Sequence, residues 1–447
     1  MSSDLEKSKN KRAMAAVPEE VLAKKRNLGR EEGQEEEEKK DSPALLPMPR
    51  GSRGCFIDPR WLTAKIAKDK MDAAKLAAPI PPVKIPTLEH FKPPPRFHTR
   101  ALLPLRESGS KAALSAAKSL VGISSSLGSK PLKRCSGLLI DWDEESKTCV
   151  VLTTAHLIRT KDSPVNVWFG GEEYTSNADV TVHLLDGTSE KGQLLYYQPH
   201  YDLAFVRVKV DQPIQLPSFS EEVTFAEEVL RLGRDNMLDL RITYGRAAYQ
   251  NPDIDERYHY MYFDCADDDN DDDEYDSGGL VISLDGKIVG MFNISSRGSF
   301  IPSSILLSCV DLWKKYGRIP RPQLGMTFEA IKLLEPAHVD KIWRMCHIDD
   351  GLVVQEVLKG SPADKFGIER GDIVECFNGE PISNTVELEN RLMNTCKGLS
   401  DNYNDLIEVH ISVGVFHTLK KQRRIGELTV SVSDLGEVIA RGTHLLF

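Results

Sequence analysis

The chain has 447 residues, enough for about two to four folding units at ~100–200 residues each, so one core cannot organise it. Its 57 Lys+Arg against 67 Asp+Glu leave a net charge of −10, which argues against nucleic acid as a partner because phosphate binding is driven by excess basic charge. With 40% hydrophobic and 28% charged residues, the composition fits folded modules joined to a long polar tail.

Residues 1–110 read as a disordered, charged and Pro-rich N-terminal region. The opening MSSDLEKSKNKRAMAAVPEEVLAKKR carries charge throughout and lacks the apolar run of a secretory signal. The richest apolar stretches, such as CVVLTTAHLI, fall well short of the ~18–20 residues a membrane span needs, so no membrane association is expected. Lys11-Arg12 and Lys24-Lys25-Arg26, eleven residues apart, have the two-cluster arrangement that nuclear import receptors read, while the acidic run Glu35–Glu38 argues against an organelle transit peptide. The expected location is nuclear or cytoplasmic. GCFIDPRWLTAKIAKDKMDAAKLAA has the makings of a short helix, and PIPPVKIPTLEHFKPPPRFHTR those of an extended linker, because its prolines remove backbone donors.

From residue 111 to about 318 the texture is β-rich. SGLLIDW, CVVLTTAHLI, VTVHLLDG, KGQLLYY, LAFVRVKV, EVLRLG, GLVISLDG and KIVGMFNI follow one another at barrel spacing, with Asp186-Gly187 and Asp285-Gly286 as turn signals. Residues 321–432 change to a mixed pattern: strand GLVVQEV, short helix SPADKFG, strand DIVECFNG, longer helix TVELENRLMNT and strand LIEVHISVG, a compact α+β module. Residues 433–447 form a C-terminal tail. No internal repeat of fixed period is present, which sets aside solenoids and propellers. The eight cysteines are scattered with no C-x-x-C pair, so buried reduced thiols are expected and neither a metal site nor a cofactor is suggested.

Three segments of the β-rich region each contribute one member of a nucleophile, base and orienting-acid set. His156 ends the apolar strand of TTAHL, Asp202 opens YDLAFVRV, and Ser277 sits in DSGGLV. Acyl transfer by serine needs an imidazole to take the hydroxyl proton, a buried carboxylate to hold that imidazole, and donors for the oxyanion. SGGLVISLDGKIVGMF places the serine on a loop backed by a hairpin.

These motifs resemble the trypsin-like serine proteases of the Deg/HtrA branch: TTAHL matches the histidine motif, VTVHLLDGTSEKGQLLYYQPHYDLAFVRV the hairpin leading to the aspartate, and FIPSSIL the strand and helix start after the serine. Leu157 follows the histidine where secreted trypsins have cysteine, which favours the intracellular branch. SPADKFGIERGDIVECFNGEPISN resembles the core of the PDZ domains that follow the protease in this family, with Leu324-Gly325-Met326 as the candidate loop presenting N–H groups to a peptide's terminal carboxylate while the peptide adds a strand to the sheet. The resemblance implies a mostly β chain: a two-barrel trypsin-like (chymotrypsin-fold) domain at 111–318 followed by an α+β PDZ-like domain. It further implies catalytic His156, Asp202 and Ser277, oxyanion donors at Tyr275 and Ser277, protein or peptide substrates, C-terminal peptide ligands for the PDZ-like domain, and a homo-oligomer.

The sequence departs from the family at Tyr275, where these proteases carry a glycine whose N–H faces the oxyanion; a Cβ disfavours the positive φ that glycine adopts freely. Leu280 replaces the usual proline or alanine. The preceding CADDDNDDDEYDS is a solvated, self-repelling acidic loop that lacks EF-hand spacing, and as a specificity element it would favour basic peptides. Two functions follow: a serine endopeptidase, favoured by the retained triad, or a weakly active or inactive protease-derived scaffold that binds proteins through the PDZ-like module, favoured by Tyr275.

Overall fold

The computed structural model describes residues 66, 67, 70, 103–160, 173–211, 213–235, 237–252, 257–265, 277–293, 298–399 and 407–435. Most of the expected N-terminal region with its linker, the acidic loop, Tyr275 and most of the C-terminal tail lie outside these residues; of the expected N-terminal helix, only Ile66, Ala67 and Lys70 are described, and they are helical. Residues 103–110, expected to end the disordered region, instead form the first two turns of a helix, Leu103–Ala116, so the folded part begins before residue 111.

Six strands, β1 (Leu120–Leu127), β2 (Lys130–Asp143), β3 (Thr148–Thr153), β4 (Asp179–His183), β5 (Ser189–Gln198) and β6 (Leu203–Lys209), close into a barrel in the order 1-2-3-6-5-4. Alternation drives the closure: Val121, Ile123, Val151, Val180, Val182, Val206 and Val208 all enter one buried cluster, as period-2 side chains on a half-buried sheet must. A second closed barrel, ordered 10-11-12-9-8-7, is built from β7 (Glu228–Arg234), β8 (Leu240–Ala248), β9 (Met261–Asp264), β10 (Leu280–Ser283), β11 (Ile288–Phe292) and β12 (Ser299–Pro302). Helix α1 (Leu103–Ala116) places Ala112, Ala113 and Ala116 in a cluster with Leu120 and Leu138 of the first barrel and Leu230 and Leu280 of the second. Helix α2 (Ser303–Tyr316) leaves β12 directly, as the FIPSSIL segment suggested.

The second module is a seven-stranded sheet whose main path runs β13 (Arg321–Pro322), β19 (Gln422–Ser433), β18 (Glu408–His417), β16 (Ile373–Phe377), β15 (Leu352–Val357), β14 (Met326–Ala330), with β17 (Glu380–Pro381) paired to β16. Two helices follow the expected segments, α4 (Pro362–Phe366) and α5 (Thr385–Cys396), after a third, α3 (Pro336–Cys346). Ser361 caps α4 by accepting from the Asp364 N–H, and Asn384 caps α5 by accepting from Glu387 N–H at 2.8 Å, each satisfying a donor that has no intrahelical partner. The stretch after Leu324-Gly325-Met326 reads as irregular in sequence but forms β14 and α3, the latter started by Pro336 in its first turn.

The two modules share a core. Val386, Met393 and Cys396 of α5 join the cluster of Phe292, Ile305, Leu306 and Leu312 beneath the second barrel, and Asn390 Nδ2 donates to Ser304 Oγ of α2 at 2.9 Å. At the centre of this junction the fully buried Glu389 of α5 accepts from Arg321 Nε at 2.6 Å and Nη2 at 3.0 Å, and from the Tyr201 hydroxyl at 2.6 Å. Removing one partner of such a pair leaves a buried charge uncompensated, at a cost of about 3–5 kcal/mol. Glu389→Gln should therefore lower the melting temperature and split the transition, read by calorimetry, as the second module loosens from the barrels. An unchanged single transition would show that this ion pair does not join them.

Candidate active site

The chain reaches the site from three directions. Strand β3 ends at Thr153, and the next turn is a short 3-10 helix, Ala155–Ile158, so His156 lies one turn beyond the strand that the sequence pattern assigns to it. The cause is Thr154, whose hydroxyl oxygen caps the turn by accepting from the His156 N–H at 3.1 Å. Asp202 follows the turn after β5 in the left-handed region, φ 51, a conformation that aspartate visits more readily than most residues. Ser277 opens the turn before β10.

Asp202 grips the histidine segment at three points. Its backbone carbonyl accepts from Ala155 N–H at 3.1 Å, Oδ1 accepts from His156 N–H at 3.0 Å, and Oδ2 accepts from the Thr154 hydroxyl at 2.6 Å. Among the described residues none of its hydrogen bonds runs to the imidazole. Burial pushes the Asp202 carboxyl up to about 6 against the opposing pull of Thr154 and the His156 N–H. Burial, with Lys133 and Arg159 adding positive charge, holds His156 well below the usual histidine range, so its ring is neutral at pH 7.

The serine is strapped to the other barrel. The Ser277 carbonyl accepts from Ser136 N–H of β2 at 2.8 Å, and Gly278 N–H donates to Phe292 C=O at 2.9 Å. Gly278 has φ +74, and a Cβ there would lie 2.2 Å from the Ser136 carbonyl oxygen and 2.9 Å from Thr153 Oγ1. Only glycine permits that approach. Consecutive residues at the end of β3 thus touch both partners: Thr153 meets the serine's turn, Thr154 holds Asp202, and His156 follows two residues later. Ser277 and His156 are both buried, at 5% and 8% exposure. The two threonines belong to the TTAHL motif, but their contacts with the serine's turn and the aspartate, like the role of Ser136, have no signature in the local sequence.

In the second module, Leu324 and Met326 are buried, and Gly325, φ +71, packs where a Cβ would lie 2.4 Å from Ser361 Cβ. This loop opens the edge strand β14.

Beside the junction lie two fully buried imidazoles, His200 and His259, their ring centroids 5.2 Å apart. Among the described residues neither ring nitrogen of either has a hydrogen-bond partner, and His200 Nε2 is 3.7 Å from Glu389 Oε1. Together with Glu389 they offer three potential metal donors within 4.8 Å of one another. The carboxylate, however, is already held through both oxygens by Arg321, whose charge makes the place unfavourable for a cation. Neutral imidazoles suit it better: burial lowers His259 to about 3, with Glu389 opposing and Arg321 and Arg257 assisting, and burial with Arg321 holds His200 well below its ordinary range.

A trypsin-like peptidase domain model matches residues 135–291, and a PDZ domain model matches residues 353–395. Putative protease Do-like 14 of Arabidopsis thaliana is 27% identical over 262 residues, covering 55% of this chain and 57% of that protein. A probable periplasmic DegP-like serine endoprotease of Marinomonas is 29% identical over 225 residues, covering 47% and 45%. Serine protease Do-like HtrA of Bacillus subtilis is 24% identical over 313 residues, covering 66% and 64%. The chain carries a trypsin-like peptidase domain followed by a C-terminal PDZ domain. It is homologous to the Deg/HtrA serine proteases, including a plant Do-like protein, and spans about half the length of the curated relatives named first. The crystal structure of the serine endoprotease from Yersinia pestis aligns with 72% of this chain and 97% of that chain, at 17% identity and a TM-score of 0.44.

The buried histidines set the direction of the pH dependence of stability. His156, His183, His200 and His259 all have folded values below the ordinary one, so their contribution is complete above about pH 6.5 and erodes as pH falls through that value, by up to about 1.4 kcal/mol per pH unit for each group. Asp202, raised to about 6, and Glu329, raised by burial, act oppositely as pH falls through their folded values, but these two carboxyls are set against four imidazoles. The melting temperature should fall steadily between pH 7 and 5. His259→Phe, which replaces an unpartnered imidazole by an apolar ring, should flatten that fall. A pH-independent melting temperature would overturn the assignment of neutral buried imidazoles.

Proposed function

We propose that the chain is a serine endopeptidase acting on protein substrates. His156 is the general base, Asp202 its orienting acid and Ser277 the nucleophile, with the backbone N–H groups of Ser277 and Tyr275 as oxyanion donors. The observation that carries this reading is the Thr153-Thr154 dipeptide, which links the serine's turn to the aspartate and leads into the histidine. The neutral imidazole takes the hydroxyl proton as Ser277 Oγ attacks the scissile carbonyl, then returns it to the leaving amine while Asp202 stabilises the imidazolium. Because the imidazole stays neutral into acid while Asp202 titrates near pH 6, the acidic limb of activity should follow the aspartate. On the same reading the PDZ-like module takes peptides through Leu324-Gly325-Met326 and β14. Assembly as a homo-oligomer and a nuclear or cytoplasmic location complete the proposal.

A serine-directed fluorophosphonate should label the intact chain, fail on Ser277→Ala, and lose its rate as pH falls through about 6. Wild type and Ser277→Ala labelling equally would overturn the assignment. Tyr275 favours the second reading, a weakly active scaffold, because losing one oxyanion donor costs roughly 10²–10³ in rate. Tyr275→Gly should then raise turnover of an unfolded protein substrate by ~10-fold or more; an unchanged rate would mean that the tyrosine already permits a productive loop.

A further inference from the structure

Among the described residues of the PDZ-like module, β14 forms a sheet edge long enough to take an added strand. The chain itself already engages that edge. Asn251, three residues beyond β8, turns its carboxamide onto Ala330 in both senses: Oδ1 accepts from the Ala330 N–H at 2.8 Å, and Nδ2 donates to the Ala330 carbonyl at 3.2 Å. An antiparallel neighbour makes the same pair of bonds to a residue whose backbone faces outward. On the inner side Ala330 is in register with Leu352 of β15, so Asn251 stands where the next strand would begin.

Tyr258 supplies the second contact. It is 7% exposed and belongs to one apolar cluster with Leu324, Met326 and Phe328 of the loop and strand and Leu388 and Leu392 of α5. Its ring stands edge-on to Phe328 with centroids 5.6 Å apart, and its hydroxyl accepts from Arg321 Nη2, the guanidinium that also grips Glu389 of α5. Ordinary packing between modules would bury any convenient face. Here one connection takes both the backbone donor and acceptor of the edge strand and the apolar cluster shared by that strand and the helix beyond it, which are the two things a strand-adding peptide uses.

We infer that Asn251 and Tyr258, two described residues between β8 and β9, act as an intramolecular ligand of the PDZ-like module, Asn251 in place of a paired strand residue and Tyr258 in place of an anchoring side chain. The inference rests on the proposed reading of this module as a peptide binder. A peptide arriving from outside then binds only the fraction of molecules in which the connection has left, and its apparent affinity falls by that fraction. Tethering makes the competition severe, because a short tether holds its segment at ~mM effective concentration.

The test uses the full chain and two probes: a fluorescein-labelled synthetic peptide of residues 249–260, and an octapeptide pool with free C-terminal carboxylates. The 249–260 probe should bind Asn251→Ala/Tyr258→Ala at least ~10-fold more tightly than wild type. Equal affinity for both proteins, or no binding to the folded double variant, overturns the inference. Octapeptides binding neither protein remove the peptide-binding reading itself, whereas octapeptides binding both equally remove only the closed edge. Hydrogen exchange guards against misfolding: in Asn251→Ala the Ala330 amide should exchange at least ~10-fold faster while amides bonded between β14 and β15 keep their protection. An Ala330 amide as slow in the variant as in wild type also overturns the inference.

Discussion

The carboxylate of Glu389 is the interaction on which the arrangement of the two modules depends. A carboxylate with no exposure to water is tolerable only if its charge is matched and its lone pairs are filled. Burial alone would drive its proton affinity up, yet Arg321 holds it well below the ordinary carboxylate range. The price is that Arg321, itself 1% exposed, must be fixed as well, and it is, by Pro322 C=O and the Tyr258 hydroxyl. Arg321 belongs to β13, Glu389 to α5, Tyr258 to the connection before β9, and Tyr201 to the turn before β6. One ion pair therefore specifies where four distant chain segments meet.

Among those segments, the one nearest the candidate site is that of Tyr201, the residue before Asp202. Its hydroxyl bond to Glu389 crosses from the first barrel to the PDZ-like module, and its ring packs edge-on to His200 at 4.9 Å. Asp202 in turn binds three consecutive residues of the histidine turn. The path from the module's helix to the histidine's backbone thus consists of hydrogen bonds and one peptide link. Such contiguity fixes position; transmitting a signal requires a second arrangement of the same elements, and the sheet edge that Asn251 and Tyr258 engage is the element best suited to have one.

Much of this was legible in the sequence. The Asp186-Gly187 and Asp285-Gly286 turns, the strand-to-helix passage at FIPSSIL and the helices at SPADKFG and TVELENRLMNT stand where local pattern puts them, because turn residues, caps and period-2 runs act over a few neighbours. Strands β1 and β8 were harder to read: LVGISSSL and LRITYGRAA place small or polar residues at positions that are satisfied only after long-range pairing with β2, β4, β7 and β9. The histidine's 3-10 turn was missed because it is imposed by Thr154 and by Asp202, the latter 46 residues further on. The Arg321–Glu389 pair, 68 residues apart in sequence, carries no local signature, since either residue alone reads as an ordinary surface charge.

The same contrast explains why the candidate site can be rigid although its side chains are few. The serine's turn is fixed by backbone: its carbonyl is bonded to Ser136, Gly278 is bonded to Phe292, and the absent Cβ lets the second barrel approach the first to within atomic contact. Ser136 is held from the other side as well, its hydroxyl accepting from the Arg234 N–H at 2.8 Å and its carbonyl accepting from Thr153 Oγ1 at 2.7 Å. Backbone bonds of this kind cost little side-chain entropy to maintain and cannot be lost by rotating a χ angle. The histidine is placed differently, by the carboxylate's bonds to its backbone N–H and to the Thr154 hydroxyl that caps its turn. The candidate serine's position is therefore set by the meeting of two barrels, the histidine's turn by a single buried carboxylate, and the segment that carries the carboxylate by a helix of the second module.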